Sequence, residues 1–181
     1  MLGREDIPLD TEGEAQALRL GARFAADRPT VVYSSPLGRA RQTAAAIPAL
    51  QPGVRDAPGL EELHVGALEG LTGPELDTRF PGLMKIWLHQ PLDFRPPDGE
   101  TLGEASERAW SGLEAVVAAE RSAATLVVVT HQIVLGALLC RIQGRPLSEF
   151  RSFFHKNTAI TELEWDDSPR VLRLADASHL G

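Results

Sequence analysis

At 181 residues, 43% of them hydrophobic and 24% charged, the chain has the length and profile of one soluble globular domain with a core of its own. A formal net charge of −7 excludes a broad nucleic-acid or anionic-membrane face, so an anion bound here must be held by a few local arginines. The lone cysteine, Cys140, excludes an internal disulfide framework and suits a reducing compartment; its apolar Ala-Leu-Leu-Cys setting reads as a small buried hydrophobe.

The opening segment, MLGREDIPLD, has no apolar h-region of a signal peptide, and no stretch reaches the length of a membrane span. The expectation is a cytoplasmic protein with no membrane and no nucleic-acid partner. Thr11-Glu12-Gly13-Glu14 has capping-box spacing, and Ala15, Leu18, Ala22 and Ala25 fall on one face, predicting a helix from about 11 to 26. Thr30 to Ser35 reads as a short buried strand. Ser35-Pro36 then has the pattern of an N-cap followed by proline at the first helical position, with Ala40, Ala44 and Ile47 as the apolar stripe of the next helix. Residues 51–70 are rich in Gly and Pro and predict a loop with a short strand near Val54.

Pro74 to His89 predicts one or two short helices on the rim, and Pro91 to Glu100 a proline-rich loop. A second capping box, Thr101 to Glu104, opens a long helix to about Arg121, with Leu102, Ala105, Ala109, Leu113, Val116 and Val117 inward. A strand over Leu126 to Thr130 follows, then a helix from about Ile133 to Gln143, a short helix near Leu147 to Phe153, and strands over Thr158 to Trp165 and Arg170 to Ala175. This alternation predicts a single α/β domain over residues 1–181, a three-layer α/β/α sandwich on a mostly parallel sheet.

In such a sheet, ligands bind beyond the carboxyl ends of the strands. VVYSS delivers Ser34, Ser35 and the helix start Gly38-Arg39-Ala40-Arg41, and LVVVT delivers His131. A helix N-terminus with an arginine in its first turn makes an anion site, though Arg39 and Arg41 point to nearly opposite sides and only one can face a pocket. By themselves both arginines also fit a solvated surface, and His131 fits a hydrogen-bonded loop residue. Glu61, Glu62 and Glu69 are equally ambiguous, while His64, His89, His155 and His179 read as structural or surface groups. No His/Asp/Glu/Cys set has metal-ligand spacing, and no G-x-S-x-G elbow supports a serine hydrolase using Ser34 or Ser35.

The order PLDTEGEAQA, VVYSSPLGRARQTAAAI, LEELHVGALEG, PPDGET and VVVTHQIVLGALL resembles the histidine phosphatase superfamily, in its phosphoglycerate-mutase-like branch that includes α-ribazole phosphatase. The likeness runs from about Gly3 to Trp165. It implies that Arg39 binds phosphate, that Glu62 donates a proton to the leaving oxygen, and that His131 hydrogen-bonds the transferring phosphoryl group. It further implies that the Gly3 backbone approaches the substrate and that Glu100 shapes the pocket as part of the substrate-binding set. These roles suit phosphoryl transfer, in which charge on the equatorial oxygens is met by placed cationic and N–H donors, without a metal or other cofactor.

The family's Arg-His-Gly motif, whose histidine forms a phosphohistidine, does not occur in this sequence. The resemblance therefore implies that the first, central strand, the nucleophile and one phosphate arginine stand before Met1, a segment of roughly 15–20 residues. The pattern is read as a start set too far downstream rather than a natural loss, because the downstream motifs are intact. His131-Gln132 departs from the His-Gly-Gly of many relatives and bears on substrate choice. The expectation is a phosphatase of small phosphorylated metabolites, with the chain as given lacking its nucleophile. A non-catalytic phospholigand-binding protein and a phosphoglycerate mutase are the alternatives, and the short span from Gly70 to Pro96 favours hydrolysis over mutase chemistry. Neither the substrate nor the oligomeric state, a homodimer included, is fixed by the sequence.

Overall fold

A computed structural model describes residues 2–166 and 168–181 of the protein. In chain order its helices are Thr11–Arg23 (α1), Gly38–Ala45 (α2), Gly73–Arg79 (α3), Leu83–His89 (α4), Leu102–Ala119 (α5) and Gln132–Ile142 (α6). Its strands are Val31–Ser34 (β1), Val54–Asp56 (β2), Leu126–Val129 (β3), Ile160–Glu164 (β4) and Arg170–Asp176 (β5). Single 3-10 turns form at Gly66–Leu68 and Ser178–Leu180, and the segment Leu147–Phe153 is also 3-10.

Side chains on a strand alternate between its two faces, and β1 buries both. Val31 and Tyr33 enter a cluster with Ala109, Leu113 and Val116 of α5 and Val134 and Leu138 of α6. Val32 points the other way, into a cluster with Leu20 of α1 and Ala44 of α2. Helices therefore cover β1 on opposite sides, which gives the three α/β/α layers. β1 pairs in parallel with β2 and with β3, in the order β2-β1-β3. β4 and β5 form a separate antiparallel pair, so the strands divide into two sheets rather than one. Among the described residues no helix is long and apolar enough to cross a membrane.

Several element boundaries differ from the sequence expectation for local reasons. α1 is capped by Asp10, whose side chain accepts from Gly13 N at 2.8 Å, so the Thr11 box is not the cap. α2 begins at Gly38 with Leu37 as its N-cap, and the Ser35 hydroxyl accepts from Leu37 N at 3.3 Å while also bonding His131 across the sheet edge. β4 starts at Ile160, since Thr158 just before it has a left-handed φ of 60°, outside the extended range of a regular strand. The Thr101–Glu104 capping box forms in full, with Thr101 accepting from Glu104 N and Glu104 accepting from Thr101 N.

A third cluster lies under the proline-rich loop, where Phe94 and Phe150 are fully buried against Trp87, with ring centroids 4.8 and 5.4 Å away. Truncating Phe150 would leave a cavity that its aromatic neighbours cannot fill. Phe150→Ala is expected to lower unfolding stability by about 3–5 kcal/mol, read as a reduced urea midpoint with an unchanged slope.

Candidate active site

The register of the parallel sheet brings two chain ends together. Ser34 stands opposite Val129, and Ser35 N donates to Val129 O at 2.8 Å, so Ser35 and His131 leave the carboxyl edge side by side. His131 is extended (φ −119°, ψ 165°) and occupies the N-cap position of α6 without capping it through its side chain. Its Nε2 is instead hydrogen-bonded to the fully buried Ser35 Oγ at 2.8 Å. Burial, reinforced by the charges of Arg39 and Arg108, pushes the His131 imidazole down to about 3, so the ring is neutral at neutral pH.

The vacant capping role at α6 is taken from another part of the chain. Glu62 Oε2 accepts from Ile133 N at 3.2 Å while Oε1 accepts from its neighbour Leu63 N at 2.8 Å. Desolvation of this carboxyl raises its pKa, and outweighs the N–H groups of Leu63, Ile133 and Val134 and the charge of Arg39, which act to lower it. A carboxyl in this condition holds a proton to higher pH than an exposed glutamate and can hand it on.

The two arginines of α2 diverge. Arg41 reaches Asp56 at 2.6 Å on the exposed side. Arg39 turns toward the opening segment, where Nη2 donates to Gly3 O and Nη1 to Glu5 O, both at 2.8 Å. Its charge acts on both His131 and Glu62, which places it between them electrostatically. The N-terminus of α2 is itself occupied, since Gly38 N donates to Asp6 Oδ1 at 2.6 Å. Gly3 has φ +50°, and a Cβ there would lie 2.6 Å from both Glu69 Oε1 and Val65 Cγ2, so no larger residue fits.

Glu100 does not stand free in a pocket. Its Oε1 accepts from Arg108 Nη2 at 2.6 Å, Arg4 Nη2 at 3.1 Å and His64 N at 2.9 Å, and its Oε2 accepts from Arg108 Nε at 3.1 Å. Desolvation pushes this carboxyl up, but Arg108's hydrogen bond, the His64 N–H and the charges of Arg108 and Arg4 together hold it below the ordinary glutamate value. The two loops meet because Gly66, at φ +51°, allows backbone contact; a Cβ there would lie 2.1 Å from Pro97 O.

Arg4, Arg108 and Ser35 were not singled out as site residues by sequence reasoning. For Arg108 a signal existed: it follows the inward Ala105 by three positions, so a charged group lies beside the apolar stripe of α5. Nothing comparable marked Arg4. Of the remaining candidates, Glu61 pairs with Arg108 at 3.3 Å and Glu69 accepts from Arg4 N at 2.8 Å. His89 is exposed at the end of α4, and His179 Nε2 lies 3.2 Å from Thr158 Oγ1. Among the described residues no group of three His, Cys, Asp or Glu side chains is arranged to hold a metal ion.

The histidine phosphatase superfamily (branch 1) matches residues 1–177. The chain belongs to this superfamily. It is 33% identical to a probable phosphoglycerate mutase GpmB from Salmonella arizonae, over 98% of this chain and 86% of the relative. Among solved structures, Bacillus stearothermophilus YhfR superposes with a TM-score of 0.91 at 30% identity, covering 100% of this chain and 91% of that one. The α-ribazole phosphatase from Shigella flexneri shares the fold, with a TM-score of 0.87 at 22% identity over 97% of this chain and 88% of that one. A histidine phosphatase fold therefore carries Arg39, Glu62 and His131 to the same edge of its sheet.

The two perturbed groups act on stability in opposite directions. Below pH 6.5 the unfolded chain protonates His131 while the native ring stays neutral down to about 3, so stability falls as pH drops through that window. Native Glu62 keeps its proton above 4.5, where the unfolded carboxyl has lost its own, so stability falls as pH rises past 4.5. The melting temperature of the wild type relative to His131→Asn is expected to decrease on acidification from pH 6.5. Relative to Glu62→Gln it is expected to decrease as pH is raised above 4.5.

Proposed function

We propose that this site performs the phosphate-handling half of phosphomonoester hydrolysis, on a small phosphorylated metabolite. The observation that carries this reading is that Glu62 accepts from Ile133 N at the start of α6, directly after His131, whose ring bonds Ser35 at the end of β1 just before the helix that carries Arg39. A phosphoryl group set against Arg39 and His131 meets a guanidinium and an imidazole N–H at its equatorial oxygens. The incoming negative charge raises the imidazole's proton affinity and reverses the effect of Arg39 on it. Glu62, whose proton affinity is raised by desolvation, gives its proton to the leaving oxygen, so the alcohol departs neutral.

What accepts the phosphoryl group is the remaining element. By analogy with the superfamily, that acceptor is the histidine of an Arg-His-Gly motif, giving a phosphohistidine that water then hydrolyses. The chain as given contains no such tripeptide. His131 is poorly suited to replace it, because its Nε2 is bonded to buried Ser35. Hydrolysis is favoured over mutase chemistry by the rim between Gly70 and Pro96, which holds only α3 and α4, of 7 residues each. A second reading is a phospholigand-binding protein without turnover, in which Arg39 and His131 hold the phosphate and no side chain attacks it. In both readings the protein works in the cytoplasm, without a metal, a nucleic acid or a membrane.

The 181-residue chain is expected to bind orthovanadate in calorimetry, to lose that binding in Arg39→Ala, and to leave p-nitrophenyl phosphate unhydrolysed. A form extended upstream in frame through an Arg-His-Gly strand is expected to turn the ester over, with Glu62→Gln lowering kcat about 10²–10⁴-fold. Turnover by the 181-residue chain that His131→Ala abolishes would overturn this account of the nucleophile. An upstream frame without the motif would favour the binding protein.

A further inference from the structure

Glu62 is held by its backbone as well as by its carboxyl, and the groups that hold it form a connected set outside the reacting trio. Its carbonyl oxygen accepts from Arg4 Nε at 3.1 Å and from Arg108 Nη2 at 3.5 Å. Both guanidiniums are in turn fixed by one carboxylate, Glu100, at 3.1 and 2.6 Å. Arg108 goes further along the same loop, donating through Nη1 to Gly59 O, to Glu61 O at 3.1 Å and to Glu61 Oε2 at 3.3 Å. Arg4 belongs to the opening segment, whose Gly3 and Glu5 carbonyls receive Arg39. The set therefore spans the opening segment, the 59–64 loop, the 97–100 loop and α5.

We infer that Arg108, with Arg4 and Glu100, is a positioning clamp that locks the Glu62 loop against α6 and keeps the proton-donor carboxyl out of water. The physical case rests on geometry and charge. A planar guanidinium can bind a carboxylate with two donors and still direct others at carbonyls, which a lysine ammonium cannot do with the same rigidity. One carboxylate between two guanidiniums fixes both in orientation. Loss of any member frees the 59–64 loop to move away from the N-terminus of α6. Water then reaches the Glu62 carboxyl, and the desolvation that raises its proton affinity is lost.

This inference rests on the reading of Glu62 as proton donor, and its test does not require turnover. The 181-residue chain is labelled with ¹³C-glutamate, and the Glu62 carboxyl resonance is assigned by its disappearance in Glu62→Gln. Its titration is followed in the wild type, in Arg108→Lys and in Glu100→Gln, alongside thermal melting of each. The expected result is a downward shift of the Glu62 midpoint toward the ordinary value of 4.5 in both variants. Arg108→Lys should show it despite its retained charge, because the fork is what holds the carbonyls. A group that merely supports the fold would lower the melting temperature and leave the Glu62 midpoint where it is; that outcome overturns the clamp. Loss of fold in one variant leaves the other to decide, and loss of fold in both marks the set as a structural tie and overturns it as well. If instead Glu62→Gln leaves turnover of the extended form unchanged, the proton-donor reading falls while the clamp's effect on the titration stands.

Discussion

The parallel register that sets Ser34 opposite Val129 brings the ends of β1 and β3 out of the sheet together. Everything at the site depends on it. His131 can reach Ser35 only because the two chain ends leave the same edge at the same height. α6 begins directly after His131, so its free N–H groups open toward the same place. With the His131 side chain turned to Ser35, those N–H groups need an acceptor, and the Glu62 carboxyl supplies it from a loop 71 residues away in sequence. One pairing thus fixes a histidine, a helix end and a carboxyl.

Glu62 and Glu100 show how environment separates two identical side chains. Both are partly desolvated, and both accept backbone N–H groups. Glu100 has two guanidiniums in direct contact and is held ionised. Glu62 feels Arg39 only through space, its own arginine contacts being made by the backbone carbonyl, so desolvation prevails and its pKa is raised. A carboxyl of raised proton affinity and an ionised anchor on adjoining loops are a division of labour suited to acid catalysis beside a phosphate.

Much of the fold was legible because the periodicities are local. The apolar stripe of α5 and its Thr101–Glu104 box, the all-apolar β1 and β3, and the helix after His131 can be read from spacing alone. The exceptions arise where a side chain with local capping potential is used elsewhere. Ser35 has the pattern of a helix cap but serves His131, and Thr11 yields its capping role to Asp10. The division of the strands into a parallel trio and an antiparallel pair could not be read either, since sheet partnership is a matter of contacts distant in sequence.

At the site, residue types left the candidates ambiguous, and it was the resemblance to the histidine phosphatase superfamily that singled out Arg39, Glu62, His131, Gly3 and Glu100. Spacing also showed that Arg39 and Arg41 must diverge, because two positions on a helix are nearly opposite. It did not show which arginine faces inward. Nor did it show that Glu100 is bound by Arg4 and Arg108 rather than open to a ligand, or that Glu62 caps α6. Those facts depend on side chains 8 to 96 residues apart meeting at one sheet edge. The sequence by itself determined the elements and the chemical groups, which follow from short-range period and residue type. Only the tertiary structure decided which carboxyl is desolvated and which is paired, because both are set by neighbours that folding alone brings into contact.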